Sequence, residues 1–472
     1  MKKVIFLAVM ISLLSGTIVA YEWEIEVVDP DMINQYRHYI SLALDNFNLP
    51  HIAYFIGRPS GGIPPSILRY AFWNGTDWEI SMVDDESNSG NFAGETCSLA
   101  LDSDRRPHIS YLATDEDNTY CLKYALWTGA YWDFQVVDYE SGRVGEFNSL
   151  KLDSLGYPHI SYYDYYGDYL KYASWNGETW EIEIVSNGLA WGTSLDLDSL
   201  DYPCIAYYGD GNNLNYVHWN GTSWDFYNVD NFGGNVGSID ISLKLDSQDY
   251  PHITYYMFNQ TLRYARWDGS DWIITTVTGN YGGAYSWLAL DNQDFPHIVY
   301  YQALGYNWNV WYKYWDGSSW HNEVVNQPLG GGWNCRIALD SQEYPRIAYY
   351  NQNNVDLEYA SPIIFGIEDD ITTSIDNTSV ILNNYPNPFN PETTISFNLT
   401  AKNAKDAKIE IYNIKGQKIK SFVISQSSLV NGQGSVVWNG TDDDGNDVSS
   451  GIYFYCLKSD NIVKVRKAIL IK

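Results

Sequence analysis

Apolar and polar residues alternate with period two along most of the chain, in short runs broken by Gly, Asn, Asp and Pro. Such alternation sends successive side chains to opposite faces of a strand. No stretch repeats with the 3.6-residue period of a helix, which excludes a helical solenoid. One unit shows the plan. Ser149-Leu-Lys-Leu-Asp153 and Pro158-His-Ile-Ser-Tyr-Tyr163 read as two strands joined by a short turn. Leu170-Lys-Tyr-Ala-Ser-Trp175 is a third strand. Trp180-Glu-Ile opens a fourth after an Asn-Gly turn, a strong hairpin signal.

The unit recurs. An Asp-x4-Pro element stands at Asp45/Pro50, Asp102/Pro107, Asp153/Pro158, Asp198/Pro203, Asp246/Pro251, Asp291/Pro296 and Asp340/Pro345. A Trp-x-Gly-x-x-Trp element stands at Trp73/Trp78, Trp127/Trp132, Trp175/Trp180, Trp219/Trp224, Trp267/Trp272 and Trp315/Trp320. Successive prolines are 45 to 57 residues apart, and four strands in that length is the arithmetic of a propeller blade. The seventh unit has Leu357-Glu-Tyr-Ala360 but no Trp pair after it. Its missing fourth strand is expected at Tyr21–Asp29, where Trp23-Glu-Ile matches Trp78-Glu-Ile and Trp180-Glu-Ile. The pattern therefore predicts an all-β fold: a seven-bladed β-propeller over residues 21–361, closed by its N-terminal strand. That closure would also remove an open sheet edge.

Residues 362–383 read as a polar linker. Alternation and turn signals over residues 384–472 predict a small β-sandwich. This segment carries the Asn-Tyr-Pro-Asn-Pro-Phe-Asn-Pro run at 384–391, Ile-Tyr-Asn-x-x-Gly-Gln at 411–417 and Ser-Gly-Ile-Tyr-Phe-Tyr at 450–455. In these motifs it resembles the C-terminal sorting domain of type IX secretion substrates, which is similar in turn to the Ig-like domain of flagellar hook-capping proteins. The resemblance covers about 90 residues. It implies an Ig-like fold and recognition by an outer-membrane secretion machinery. It also implies cleavage of the tail, often with attachment to the cell surface. The repeats resemble loosely defined propeller repeats of exported bacterial proteins, for which no activity is implied.

Charge and composition agree with export. Residues 1–20 read as a secretory signal, with Lys2 and Lys3 ahead of an apolar run, and no other stretch is long enough to span a membrane. The expected location is the cell surface or the exterior, with no transmembrane span in the mature chain. The formal net charge of −30 argues against a nucleic-acid partner. It is uneven: residues 385–472 are net +3 and the rest net −33. Aromatics make up 16% of the chain, which excludes disorder. Cys97, Cys121, Cys204, Cys335 and Cys456 are odd in number and scattered, so buried thiols are expected rather than a disulfide framework. Without a Cys/His cluster no zinc site or other cofactor is expected, with calcium the one ion left open.

The repeat also sorts the candidate chemistry. His51, His108, His159, His252 and His297 follow the repeated prolines, with Cys204 and Arg346 at the matching positions. Five copies around a ring cannot converge on one substrate, so these histidines are expected to brace turns. The repeated Asp is read as an Asx-turn residue and the paired Trps as clamps between blades. Position three of the inner strand is Ala43, Ala100, Lys151, Asp196, Lys244, Ala289 and Ala338. Its charged set reads as an ion-pair ladder, with a polar surface in the channel as the alternative.

One face of the ring has turns of constant length and the other has variable loops, the usual place for a site. Those loops hold Tyr165, Tyr166, Trp191, Tyr281, Tyr285, Tyr306, Trp308 and Trp333. Trp287 stands where Ser41, Ser98, Ser149, Ser194 and Ser242 begin the same strand in other units. Aromatic platforms of this kind suit the C–H faces of sugar rings. The expected partner is a glycan or another extracellular ligand. A glycan-degrading hydrolase or lyase and a structural or adhesive surface protein are the alternatives. No catalytic pair can be chosen among so many carboxylates, and no nucleophile elbow or phosphate-binding loop is present.

Overall fold

The structure, a computed structural model, describes residues 22–363 and 382–470. Residues 31, 33–38, 57–66, 85–92, 116, 118, 140–141, 232–235, 258–260, 280–281, 305–306, 327–331, 387–388, 399–406, 414–417, 425–432 and 460–461 are not among those described. The expected signal at 1–20 and most of the expected linker lie outside them. Among the described residues the fold is all-β, relieved by one 3-10 turn at Asp210–Asn212. None of their helices is long and apolar enough to cross a membrane. They form two compact units, Trp23–Pro362 and Ile363–Lys472.

The first unit is built of repeated four-stranded sheets, the pattern of a propeller with many blades. In the third sheet Val144–Leu152, Pro158–Asp164, Tyr169–Trp175 and Trp180–Asn187 pair antiparallel in that order. Six sheets in sequence follow this plan. A seventh takes Gly332–Leu339, Pro345–Asn351 and Asp356–Ile363 from the end of the unit and Glu22–Asp29 from its start, as its outer strand. The second strand of each sheet is almost wholly buried, whereas the outer strand is largely exposed in sheets such as the first and third. The first strand of each sheet packs beside the first strand of the next, and Gly332–Leu339 packs beside Ile40–Leu44.

The repeated residues explain how one sheet holds the next. Asp153 Oδ1 accepts the N–H groups of Leu155 and Tyr157 at 2.9 and 2.7 Å, which closes the tight turn. Its Oδ2 faces His159 Nε2 at 3.5 Å, and His159 Nδ1 meets the hydroxyl of Tyr172. An ionised carboxylate only accepts, so Nε2 carries the proton and Nδ1 accepts from the tyrosine. Tyr172 in turn packs edge-on against Trp224 of the next sheet at 5.7 Å. The same Tyr–Trp contact joins Tyr70 to Trp132, Tyr124 to Trp180, Tyr216 to Trp272, Tyr264 to Trp320, Tyr312 to Trp23 and Tyr359 to Trp78. Each such pair adds about 0.5–1.5 kcal/mol beyond the area it buries. In the repeated pairs it is the second Trp that makes this edge-on crossing. The first, such as Trp175, packs on its partner within the sheet, and Trp267 also meets Tyr227 of the preceding sheet at 6.2 Å.

Two further sets of bonds run between sheets. Ser41, Ser98, Ser149, Ser194 and Ser242 accept the N–H of Leu99, Leu150, Leu195, Leu243 and Leu288 on the next inner strand at 2.9 to 3.1 Å. At the ends of outer strands, Asp29, Asp84, Asp138 and Asp230 accept from Tyr54, Tyr111, Tyr162 and Tyr255 of the following sheet. They also receive Arg69, Lys123, Lys171 and Arg263. This second set has no short sequence motif, because its three members come from two sheets.

In the second unit, Leu382–Tyr385, Thr393–Asn398 and Gln433–Trp438 form a three-stranded sheet. Lys418–Val423, Lys408–Asn413, Gly451–Ser459 and Ile462–Leu470 form a four-stranded one. Both sheets contribute to one core around the fully buried Trp438, with Phe389, Ile395, Ile409 and Tyr455. All five cysteines are buried and none is in a disulfide, as their scattered spacing predicts.

Candidate binding site

Bulges at the heads of the inner strands set the side chains at the variable end. The register slips between Ala284 and Trp287 and between Trp333 and Arg336, where Tyr285 and Asn334 take φ of 54° and 51°. An extra residue at such a point re-aims its neighbours. Here it brings Tyr285 and Trp333, from adjacent sheets, into an offset stack at 5.8 Å and 20°. The Trp333 indole N–H donates to the Tyr301 hydroxyl at 2.8 Å. Burial and the loss of solvation push that hydroxyl's pKa up, so it stays neutral. Tyr285 and Trp333 are half-buried and Tyr301 is buried, so the cluster both packs and presents ring faces.

Trp287 and Arg336 break the serine rule side by side, on the sixth and seventh inner strands. The Arg336 guanidinium lies 4.1 Å from the centre of the Trp287 ring, a cation–π contact. Its Nη1 donates to the Cys335 carbonyl at 3.0 Å. Arg336 escaped the sequence reading, although applying the serine rule to the seventh unit finds it. Tyr301 is legible only as an ordinary member of its strand.

The remaining expected residues are placed elsewhere or not described. Trp191, on the fourth sheet, is half-buried against the cores on both its sides. Tyr166 and Tyr165, on the third sheet, are 72% and 47% exposed and meet edge-on at 5.5 Å. Tyr281 and Tyr306 lie outside the described residues, as does the side chain of Trp308. The structure thus joins Tyr285 to Trp333, with Trp287 on the strand of one and beside the strand of the other. It keeps Trp191 and Tyr166 on other sheets.

Two charged groups stand out. Lys151, Asp196 and Lys244 lie level on three consecutive inner strands, with Lys151 Nζ 2.8 Å from Asp196 Oδ1. Asp356 opens the third strand of the seventh sheet. Burial, reinforced by the charges of Glu358 and Asp29, pushes its carboxyl up to about 6. By contrast burial holds His51, His108, His159 and His252 below the ordinary imidazole range, against the pull of their aspartates. Among the described residues no group of three or more His, Cys, Asp or Glu could hold a metal ion.

Residues 383–472 match the family described as the secretion system C-terminal sorting domain. No curated protein matches the chain. Several solved structures are similar at low identity. PorZ, an essential surface component of the type-IX secretion system of Porphyromonas gingivalis, is 11% identical with a TM-score of 0.44, over 92% of this chain and 59% of that one. AofleA from Arthrobotrys oligospora is 11% identical with a TM-score of 0.42, over 65% of this chain and 90% of that one. The NanB sialidase from Streptococcus pneumoniae is 12% identical with a TM-score of 0.40, over 71% and 69%.

Proposed function

We propose that the chain is an exported surface protein whose repeats close into a seven-bladed propeller and bind glycan at the variable end of the sixth and seventh blades. Export through a type IX system rests on the sorting domain at 383–472. Closure is supported by contacts that run from the last sheet to the first. Tyr359 packs on Trp78, and the Ser341 N–H donates to Asn48 Oδ1 at 2.8 Å while Asn48 Nδ2 donates to Ser341 Oγ.

One observation carries the binding reading: the half-buried Tyr285–Trp333 stack, braced by Tyr301, stands beside Trp287 and Arg336 at the loop-bearing end. Ring faces with fixed orientation offer area at low entropic cost, and a nearby guanidinium donates to hydroxyl or carboxylate oxygens. A glycan array probed with the mature chain tests it. Trp333→Ala should weaken the captured glycan about ten- to hundredfold, whereas His159→Ala should lower the melting temperature and leave affinity intact. The reverse pattern would place the site at the wrong end of the ring.

A hydrolase reading has Asp356 in its favour, a carboxyl whose pKa burial raises to about 6, so that it keeps its proton under mildly acidic conditions, beside a second carboxyl, Glu358. It predicts turnover of the bound glycan that Asp356→Asn removes.

A further inference from the structure

The level set on the inner strands is only half an ion-pair ladder. Asp196 is fully engaged: Oδ1 takes Lys151 at 2.8 Å and Oδ2 accepts the Leu245 N–H at 3.1 Å. Among the described residues no carboxylate oxygen comes within ion-pair distance of Lys244. Its strand is joined to Asp196 through the Leu245 N–H, and the charge of Lys151, together with burial, pushes the Lys244 amine down to about 8 against the pull of Asp196. Two ammonium groups thus share one carboxylate, in a chain of net charge −30. The group is not sealed, since 28% of the Lys151 side chain and 16% of Asp196 remain open to solvent. The other four inner strands carry Ala43, Ala100, Ala289 and Ala338 at this level, small side chains without a charge to offer the lysines. Two residues nearer the variable end, above Ala289 and Ala338, stand Trp287 and Arg336.

We propose that Lys244 and Lys151 form an anion site in the central channel, which takes a carboxylate or sulfate group of the saccharide that reaches it from the variable end. The proposal rests on the closed ring and on the binding reading above, and it narrows the ligand to an acidic saccharide. An anion there would supply the counter-charge that Asp196 cannot give twice, in a partly buried site, where charge-assisted bonds are stronger than in bulk water.

The test uses the mature chain at constant ionic strength, with inorganic sulfate, glucuronate and glucose as probes. Lys244 is followed by amine-directed labelling at pH 8 with mass spectrometry, and affinity by calorimetry. Sulfate and glucuronate should both bind and protect Lys244, and glucose should not protect it. Lys244→Gln, which leaves the Lys151–Asp196 pair intact, should cost about tenfold or more in glucuronate affinity, and Lys244→Arg should restore it. Labelling of Lys244 unchanged by saturating sulfate and glucuronate in the folded wild type overturns the proposal. Trp333→Ala separates the two readings. If it abolishes glucuronate binding while Lys244 was never protected, the aromatic site stands and the channel site falls. If glucuronate protects Lys244 equally well in that variant, the channel site stands without the aromatic one.

Discussion

The residue after each repeated proline shows how much one position depends on its partners. Where His stands there, it links the turn carboxylate to a tyrosine hydroxyl, as His252 does with Asp246 at 3.3 Å and Tyr264 at 2.6 Å. Cys204 reaches only the Tyr202 carbonyl of its turn, at 3.9 Å, and not the carboxylate. His218, directly across from it on the neighbouring strand, bonds Asp198 at 3.1 Å in its place. Arg346 spans the gap alone, with Nη2 2.8 Å from Asp340. The position therefore serves the fold in all three forms. Asp356 is the opposite case, a carboxyl the fold disfavours when charged. Its pKa is about 6 in the folded chain against an unfolded value of 3.8. A raised carboxyl binds its proton more tightly when folded, so stability is greatest below pH 3.8 on its account and is lost as pH rises through 6. Asp356→Asn should accordingly raise the melting temperature at pH 7 to 8 and leave it unchanged near pH 3.5. An equal gain at both pH values in a thermal-melt series would rule this out.

Among the elements, Glu22–Asp29 has the most to hold. Trp23 packs against Tyr312 of the sixth sheet, the strand pairs into the seventh, and Asp29 accepts Tyr54 and Arg69 of the first at 2.6 and 2.8 Å. Losing a buried Trp alone costs about 3–5 kcal/mol. Truncation would also strand Tyr54 and Arg69 without their acceptor and expose the edge of Asp356–Ile363. Deleting residues 22–29 should therefore cost a large share of the unit's stability, since domains hold only about 5–15 kcal/mol. Denaturant unfolding of the truncated chain measures it, and an unchanged midpoint would refute the closure. The hairpin between Tyr169–Trp175 and Trp180–Asn187 shows a second element-level device: Gly177 takes φ of 99°, which L side chains rarely adopt, while Asn176 Oδ1 accepts the N–H groups of Glu178 and Thr179 at 2.9 Å.

At the scale of the whole molecule the two units have separate cores, and the charge is uneven, with residues 385–472 net +3 and the rest net −33. The sorting domain matches residues 383–472, and the Tyr–Trp and serine contacts of the repeats stay within the first unit. Removing residues 382–472 should leave a folded first unit that its host no longer delivers to the surface. Circular dichroism checks the first half and surface labelling of host cells the second. Normal display of the truncated protein would show that the tail is not the sorting signal.

Alternation, turn residues and the fixed spacing of Asp, Pro and Trp determined the strands, the four-strand unit and the partner of the N-terminal strand. Each of these depends on local backbone geometry or on strict repetition, and both are written along the chain. The tail's motifs were equally legible, because they lie within single short segments. Only the tertiary structure decided the contacts between sheets. The chain from Asp153 through His159 and Tyr172 to Trp224 joins residues up to 71 positions apart, and no local pattern records which tyrosine meets which tryptophan. The same holds for the Tyr285–Trp333 stack and for Arg336 over Trp287, which depend on bulges that shift the register. Lys151, Asp196 and Lys244 were visible as a level set. That one carboxylate would be spent on Lys151 and a backbone amide follows from distances, which period-two alternation does not encode.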